Sequence, residues 1–497
     1  MTLHQRLLEL SHKRVRDSVV PSKTLVSMTI PTDANGEMDF TVFLRQLDRH
    51  QAQATDILTL YEQNPLTLSL VANRLGRDII DLVRGWPLDG PCLEVSTMVG
   101  VAHDVLPCPL TGSSWVIDLS MLTQLAMLGL LDVLGHLPKV YVSTATRRAL
   151  DMKLEMASAF RKSGTMFAHE GQLGFHEETE ADHARNQAFL SSIDIAISSF
   201  CTVVPAYGPL NPRPELQRLR DVLDMEEHAS LMLCKEYEAG LLSLDARMRH
   251  LASALDVHSL SPQMLLKGMQ DTGVLKSVEY SCALIKMIAA RRSFVSVGIP
   301  NLIAMMDQGL AFANMGIRSL RHYLAAPGVE FNSAAFTIIG FVSQMYVSGR
   351  CTFAMLLELV AHLLEPLFRH PHCPADFLER SLEGFTPLRD YGFTPKHFSL
   401  IKRILISAED ASQRPDQPTA LNAQVVFLRL APLYDIEDED ALFARSLPPK
   451  HSQDESVPSA QSNEEVGNPA EGAVREQTST NTLGQAEAGV RTGDSEV

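Results

Sequence analysis

The stretch that decides the fold is Trp115–Ala149, WVIDLSMLTQLAMLGLLDVLGHLPKVYVSTATRRA. It opens with a short β-branched run that ends in an acid, Val116-Ile117-Asp118. An apolar-rich segment with helical spacing follows, from about Leu119 to Leu134. A second buried-strand pattern, Val140-Tyr141-Val142, closes a β-α-β unit. An acid at the end of a buried parallel strand stands where open α/β sheets place their ligands. The rest of the chain is read by whether it supports that carboxylate.

Length and composition set the frame. A chain of 497 residues has room for two to four domains, any of which can bury a full core. The formal net charge is −16; residues 446–497 contribute −6 and the remaining body −10. An acidic body gives no support to tight nonspecific binding of nucleic acid, although a local basic rim is compatible with it. Seven cysteines are scattered without a CxxC pair, the pattern of a reducing compartment. No run of about eighteen apolar residues occurs, and the N-terminus lacks a signal-peptide core, so the expectation is a cytoplasmic protein that does not span a membrane.

Outward from the β-α-β unit, the periodicity divides the chain into five parts. Residues 1–35 read as a flexible lead-in, and 36–110 as a helical region that becomes loop-rich from Pro87, with a short strand near Leu93–Met98. Residues 111–255 read as the α/β domain, 256–445 as a helical C-terminal region, and 446–497 as a disordered acidic tail too poor in large apolar residues to offset its ordering entropy. Inside the α/β part, a helix is expected from Ala149 to about Lys162, a break over Ser163–Gly174, an amphipathic helix over Ala188–Phe200, a strand at Cys201–Val204 and a long turn over Pro205–Pro214. Within the N-terminal region, LTLSLVANRLGRDIIDLVRGW has the skeleton of a helix-turn-helix. Its second helix carries Asp78 and Asp81, a poor complement to DNA phosphates, and packing on a neighbour is the better reading.

The second informative block is ELQRLRDVLDMEEHASLMLCKEYEAGLLSLDARMRHLASALDV, from Glu215 to Val257. It reads as helix, tight turn at Gly240, strand Leu241–Ser243, and a new helix opened by Asp245. Asp118 and Asp245 both have an ordinary explanation as helix N-caps. The order Ser-X-Asp-X-X-X-Arg-X-X-Ala around Asp245 is more specific than a cap requires.

With both blocks in view, residues 111–255 resemble a PIN domain, a metal-dependent nuclease-like α/β fold. The resemblance rests on WVIDLSMLTQLAMLGLLDVL, on KVYVSTATRRAL, and on LDMEEHASLMLCKEYEAGLLSLDARMRHLA. It implies a PIN-like three-layer fold with a parallel sheet, here embedded in mostly helical N- and C-terminal regions. It also implies carboxylates gathered at the C-terminal edge of the sheet around Mg²⁺ or Mn²⁺, where metal-bound water attacks an RNA phosphodiester. Asp118 matches the family's first acid and Asp245 its last. Glu226 or Glu227 matches the helical acid between them, with Asp224 a third candidate; helical spacing leaves that choice open. Asp118, Glu227 and Asp245 are the expected metal ligands, and Arg147, Arg148 and Arg247 the expected phosphate contacts. One departure stands out. Where the family places a Glu before a Leu after its second strand, this chain has Ala149 before Leu150. The nearest acid, Asp151, lies about 200° further round the helix at roughly 100° per residue.

Other motifs are weaker. His370-Pro-His-Cys373 has no second ligand pair at zinc spacing and reads as a loop. No GxGxxG, Walker A or GxSxG string occurs. Two functions of different class follow: a divalent-metal-dependent ribonuclease, or a catalytically impaired PIN-like scaffold that binds a protein partner through its helical C-terminal half. A transcription regulator using residues 65–85 ranks third. The sequence sets neither the oligomeric state nor the RNA.

Overall fold

The computed structural model describes residues 41–64, 66–86, 91–95, 114–158, 164–169 and 172–412. The lead-in 1–35, most of the segment after 410 and the tail 446–497 lie outside the described residues. Helices α1 (Thr41–Gln63), α2 (Leu68–Arg74) and α3 (Ile79–Arg84) come first. The α/β unit then runs β1 (Trp115–Ile117), α4 (Leu119–Leu128), β2 (Val140–Ser143), α5 (Thr144–Ser158), β3 (Gly164–His169), β4 (Gln172–Glu177), α6 (Glu180–Phe200), β5 (Cys201–Val204), α7 (Pro214–Leu219), α8 (Met225–Glu236), β6 (Gly240–Leu242), α9 (Ala246–Ala254) and β7 (Ser259–Leu260). Eight further helices, α10 to α17, extend from Pro262–Asp271 to Pro395–Ser412.

Strands β5-β2-β1-β6-β7 form one sheet, in that order and all parallel. Every residue of β1, β2 and β6 is buried, as expected for strands covered on both faces. From β1 the chain winds to one side through β2 and β5, then returns to lay β6 and β7 on the other side. The order therefore reverses between β1 and β6, and their C-terminal ends flank the crevice where such sheets bind ligands. Close pairing there depends on Gly240, which faces Trp115 across the ladder: a Cβ at 240 would sit 2.4 Å from the indole ring.

Several sequence expectations change. The helix expected to reach Leu134 ends at Leu128, because Gly129 takes a left-handed conformation (φ 74°) that caps it, and a 3₁₀ turn covers Leu131–His136. The helix expected from Ala149 begins at Thr144, directly after β2. Within the expected break, Gly164–His169 pairs antiparallel with Gln172–Glu177, as strands β3 and β4. The helix expected over Ala188–Phe200 begins earlier, at Glu180, where a reciprocal Thr179–Asp182 capping box starts α6. Near Leu93 only an isolated bridge to Arg292 forms, and Met98 is outside the described residues.

The flanks pack on the α/β unit. One apolar cluster runs continuously from Ile57, Leu68, Ile80 and Val83 through Ile117, Leu122 and Leu125 to Leu284, Ile288 and helices as late as Leu405. Buried Arg292 crosses the junction: it donates to the Val83 carbonyl at 2.7 Å, to Gln124 Oε1 at 2.8 Å and to the Ala290 carbonyl at 2.9 Å. The second helix of the helix-turn-helix skeleton is likewise spent on packing, with Asp78 and Asp81 both paired to Lys153 of α5. Among the described residues, no helix is long and apolar enough to cross a membrane.

Candidate functional site

The ends of β1 and β6 deliver two aspartates to the same crevice. Asp118 follows Ile117 and caps α4: its Oδ1 accepts from the Met121 amide at 2.8 Å and from Ser120 Oγ at 2.7 Å. Asp245 caps α9 through Oδ1, which accepts from the Arg247 amide at 2.8 Å. Both acids are therefore N-caps, and both also line one small cavity. Glu226 and Glu227, in the first turn of α8, line it too, with Leu68, Ile79, Leu119 and Ser120. The cavity measures about 10 Å³, room for about one water.

The cluster is electrostatically costly. Burial is the main cause in each case, and it pushes Asp118 up to about 6, Glu226 to about 7 and Glu227 to about 8. Neighbouring carboxylates add to the effect: Asp245 acts on Asp118 and Glu227, and Asp224, Asp118 and Asp78 act on Glu226. Asp245 is raised as well by burial, against donors from Leu68 and Arg247. Buried Arg249 feels the charges of Asp245 and Asp118 but is held by backbone, donating to the carbonyls of Ser243, Leu244 and Val95.

Glu226 and Glu227 differ in partners, which helical spacing cannot reveal. Glu227 is buried, and its two oxygens accept from Thr67 Oγ1 at 3.0 Å and from the Ser69 amide at 3.3 Å. Glu226 is half-buried on the cavity wall. Asp224 turns to Asn73, which reaches both of its oxygens at 2.7 Å. No acid from α5 joins the cavity lining: Ala149 is half-buried, and Asp151 is exposed and paired with Arg147 at 2.8 Å.

The three expected phosphate contacts are placed differently from one another. Arg148 is exposed. Arg147 pairs with Asp151 and, at 2.5 Å, with Asp194. Arg247 is buried: it stacks over Tyr61 at 3.7 Å, donates to the Tyr61 carbonyl at 2.6 Å and pairs with Glu94 at 3.1 Å.

Sequence reading missed Thr67, Leu68 and Ser69. The Leu68 amide donates to Asp245 Oδ2 at 2.7 Å, and Thr67 and Ser69 hold Glu227. A Thr before an apolar helical run is a recognisable N-cap, but Thr67 makes no side-chain cap to its own helix. Its hydroxyl goes instead to an acid 160 residues away, which no local pattern encodes. Ser120 and Ser243 were also missed. Ser120 Oγ bridges Asp118 and the Leu244 amide, and Ser243 Oγ accepts from the Asp245 amide and also hydrogen-bonds the Asp118 side chain, so the two serines tie the β1 and β6 ends together.

The residues do not fit a metal ion as they stand. Among the described residues no three His, Cys, Asp or Glu side chains are grouped so as to hold one, and both carboxylate oxygens of Asp245 and Glu227, with Oδ1 of Asp118, already accept hydrogen bonds.

Comparison with known proteins agrees with the fold. Residues 116–254, a little over a quarter of the chain, match a family model described as a PIN domain associated with the TPR-GreAB-C-PIN system. No curated protein and no solved structure matches the chain.

Proposed function

From the premise that residues 116–254 carry a PIN domain, we propose that this unit is a divalent-metal-dependent ribonuclease, present here in a closed form. The single observation that carries the reading is the convergence of Asp118, Glu226, Glu227 and Asp245, from three separate elements, on one cavity at the switch point of a parallel sheet. Helix capping explains each aspartate alone. It does not explain two further glutamates beside them, because crowding buried like charges raises the energy of the ionised cluster unless a cation joins it. In this reading Asp118, Glu227 and Asp245 supply the ligand oxygens for Mg²⁺ or Mn²⁺, Glu226 lies alongside, and exposed Arg148 is the arginine best able to meet an RNA phosphate.

A specific observation favours the second reading, a PIN-like scaffold without catalysis: α5 contributes no acid to the cavity lining, and Thr67–Ser69 satisfy the acids that are there. The helical C-terminal half is then the surface for a protein partner.

Cleavage of single-stranded RNA by the full chain, with Mn²⁺ and with chelator, separates the two. The ribonuclease reading expects Mn²⁺-dependent cleavage that Asp118→Asn abolishes. Cleavage untouched by that substitution removes the assigned site, and absence of Mn²⁺ binding by calorimetry with a folded chain favours the scaffold.

A further inference from the structure

The two edges of the parallel sheet are finished differently. At one edge β7 has only Ser259 and Leu260; Leu260 is buried, and Ser261 caps α10 at once, with Pro262 in its first turn. A short strand that turns away keeps an edge from pairing with another chain. At the other edge β5 runs for four residues, Cys201–Val204, and among the described strands it pairs with β2 alone. Cys201 packs against the core on the α6 face and Val204 against the core on the α8 face, so the strand is seated from both sides. Thr202 and Val203 are nevertheless exposed, unlike any residue of β1, β2 or β6. The outer rim of β5 is open.

That rim also lacks charge. Between Asp194 and Arg213 the chain has no Asp, Glu, Lys, Arg or His. Open edges are ordinarily guarded by lysines or other charges; here Pro205 ends the strand and nothing charged stands beside it. The chain outside its tail carries −10, so two copies repel each other and can meet closely only through a face without charge. A β5 strand laid antiparallel on its own twofold mate matches N–H to C=O and uncharged side chains to uncharged side chains.

We propose that β5 is the contact for a second copy of this chain, pairing antiparallel about a twofold axis so that two five-stranded sheets join edge to edge. Four residues give about 13 Å of strand, at about 3.3 Å each. A stable interface needs about 800 Å² from each partner, and exposed Phe200, Tyr207 and Leu210, which flank the strand in the chain, extend the contact. β5 lies two strands from β1, so pairing leaves the cavity between β1 and β6 untouched and does not depend on ribonuclease activity.

Sedimentation velocity of the full chain from about 1 to about 100 µM, the range in which a Kd of micromolar order is read, is expected to show a monomer–dimer equilibrium. Val203→Lys sets like charges against each other across the axis and is expected to weaken the dimer at least about tenfold. Hydrogen exchange of the peptide covering Thr202–Val204 is expected to slow as the natural chain is concentrated. A chain that stays monomeric overturns the second copy and leaves the edge to an extended segment of another protein. A dimer that Val203→Lys does not weaken, or that adds no protection to β5, overturns the proposed contact as well. If Val203→Lys does not fold, exchange on the natural chain decides.

Discussion

Among the described residues two places bury carboxylates, and they do it in opposite ways. In the helical half, Glu365 of α15 (Phe353–Phe368) is enclosed with Arg321 at 2.9 Å and with Arg369, the C-cap of that helix, and Arg321 also meets His362 Nδ1 at 2.7 Å. One acid there has two guanidinium partners. In the α/β half, four acids share a cavity, and the nearest buried cations, Arg247 and Arg249, are drawn mainly to backbone carbonyls and to Glu94. A structural carboxylate is neutralised by its neighbours. The cavity acids have no such cation partners; they are stabilised by hydrogen bonds and by raised pKa values that favour their protonated forms.

The contrast predicts substitutions of opposite sign. The largest effect belongs to the paired acid: Glu365→Ala leaves two guanidiniums facing an apolar gap and is expected to cost about 3 kcal/mol in denaturant unfolding, the lower end for broken buried pairs because both arginines retain some water contact. A neutral outcome would erase the distinction between the two regions.

The cavity acids are expected to behave the other way. Their folded pKa values lie above the ordinary ones, so between about pH 4 and 8 the folded state holds more protons than the unfolded state. Stability should therefore fall as pH rises through that window and level off above it. Glu227→Gln removes the highest of the three, and is expected to flatten the upper part of the slope and to raise stability by about 1 kcal/mol near pH 8. Unfolding midpoints measured across the window check both; a slope that rises with pH would mean the acids are already neutralised.

The smallest effect sharpens the outer edge of the comparison. Arg147 bridges Asp151 and Asp194 on a partly exposed face. Arg147→Ala is expected to change stability by no more than about 0.5 kcal/mol. A larger loss would make this pair a structural device like the Glu365 cluster.

Much of the α/β unit was legible because its signals are local. Val116–Asp118 and Val140–Val142 are short buried runs, and a parallel sheet covered on both faces needs nothing more from its central strands. The hairpin β3-β4 and the early end of α4 were not legible at the same level, since the sequence of the first, GTMFAHEGQLGFHE, is broken by glycines and shows no clean polar-apolar alternation, and the second turns on a single left-handed glycine inside an apolar run. Asp118 and Asp245 could be found because strand ends and caps leave a pattern in sequence. Glu226 and Glu227 could be found but not separated, because neighbours on a helix differ only in what they meet.

What the sequence by itself determined is the β-α-β unit from β1 to β2, the strands at Cys201–Val204 and near Leu241, and the presence of acids at the ends of β1 and β6, because periodicity and capping act over a few residues. Only the tertiary structure decided that these acids and two glutamates share a cavity, that Arg247 is buried, and that the Thr67–Ser69 turn donates to Asp245 and Glu227. Those outcomes depend on contacts between residues separated by about 160 to 190 positions, where burial and the completion of hydrogen bonds, not local preference, select the partner.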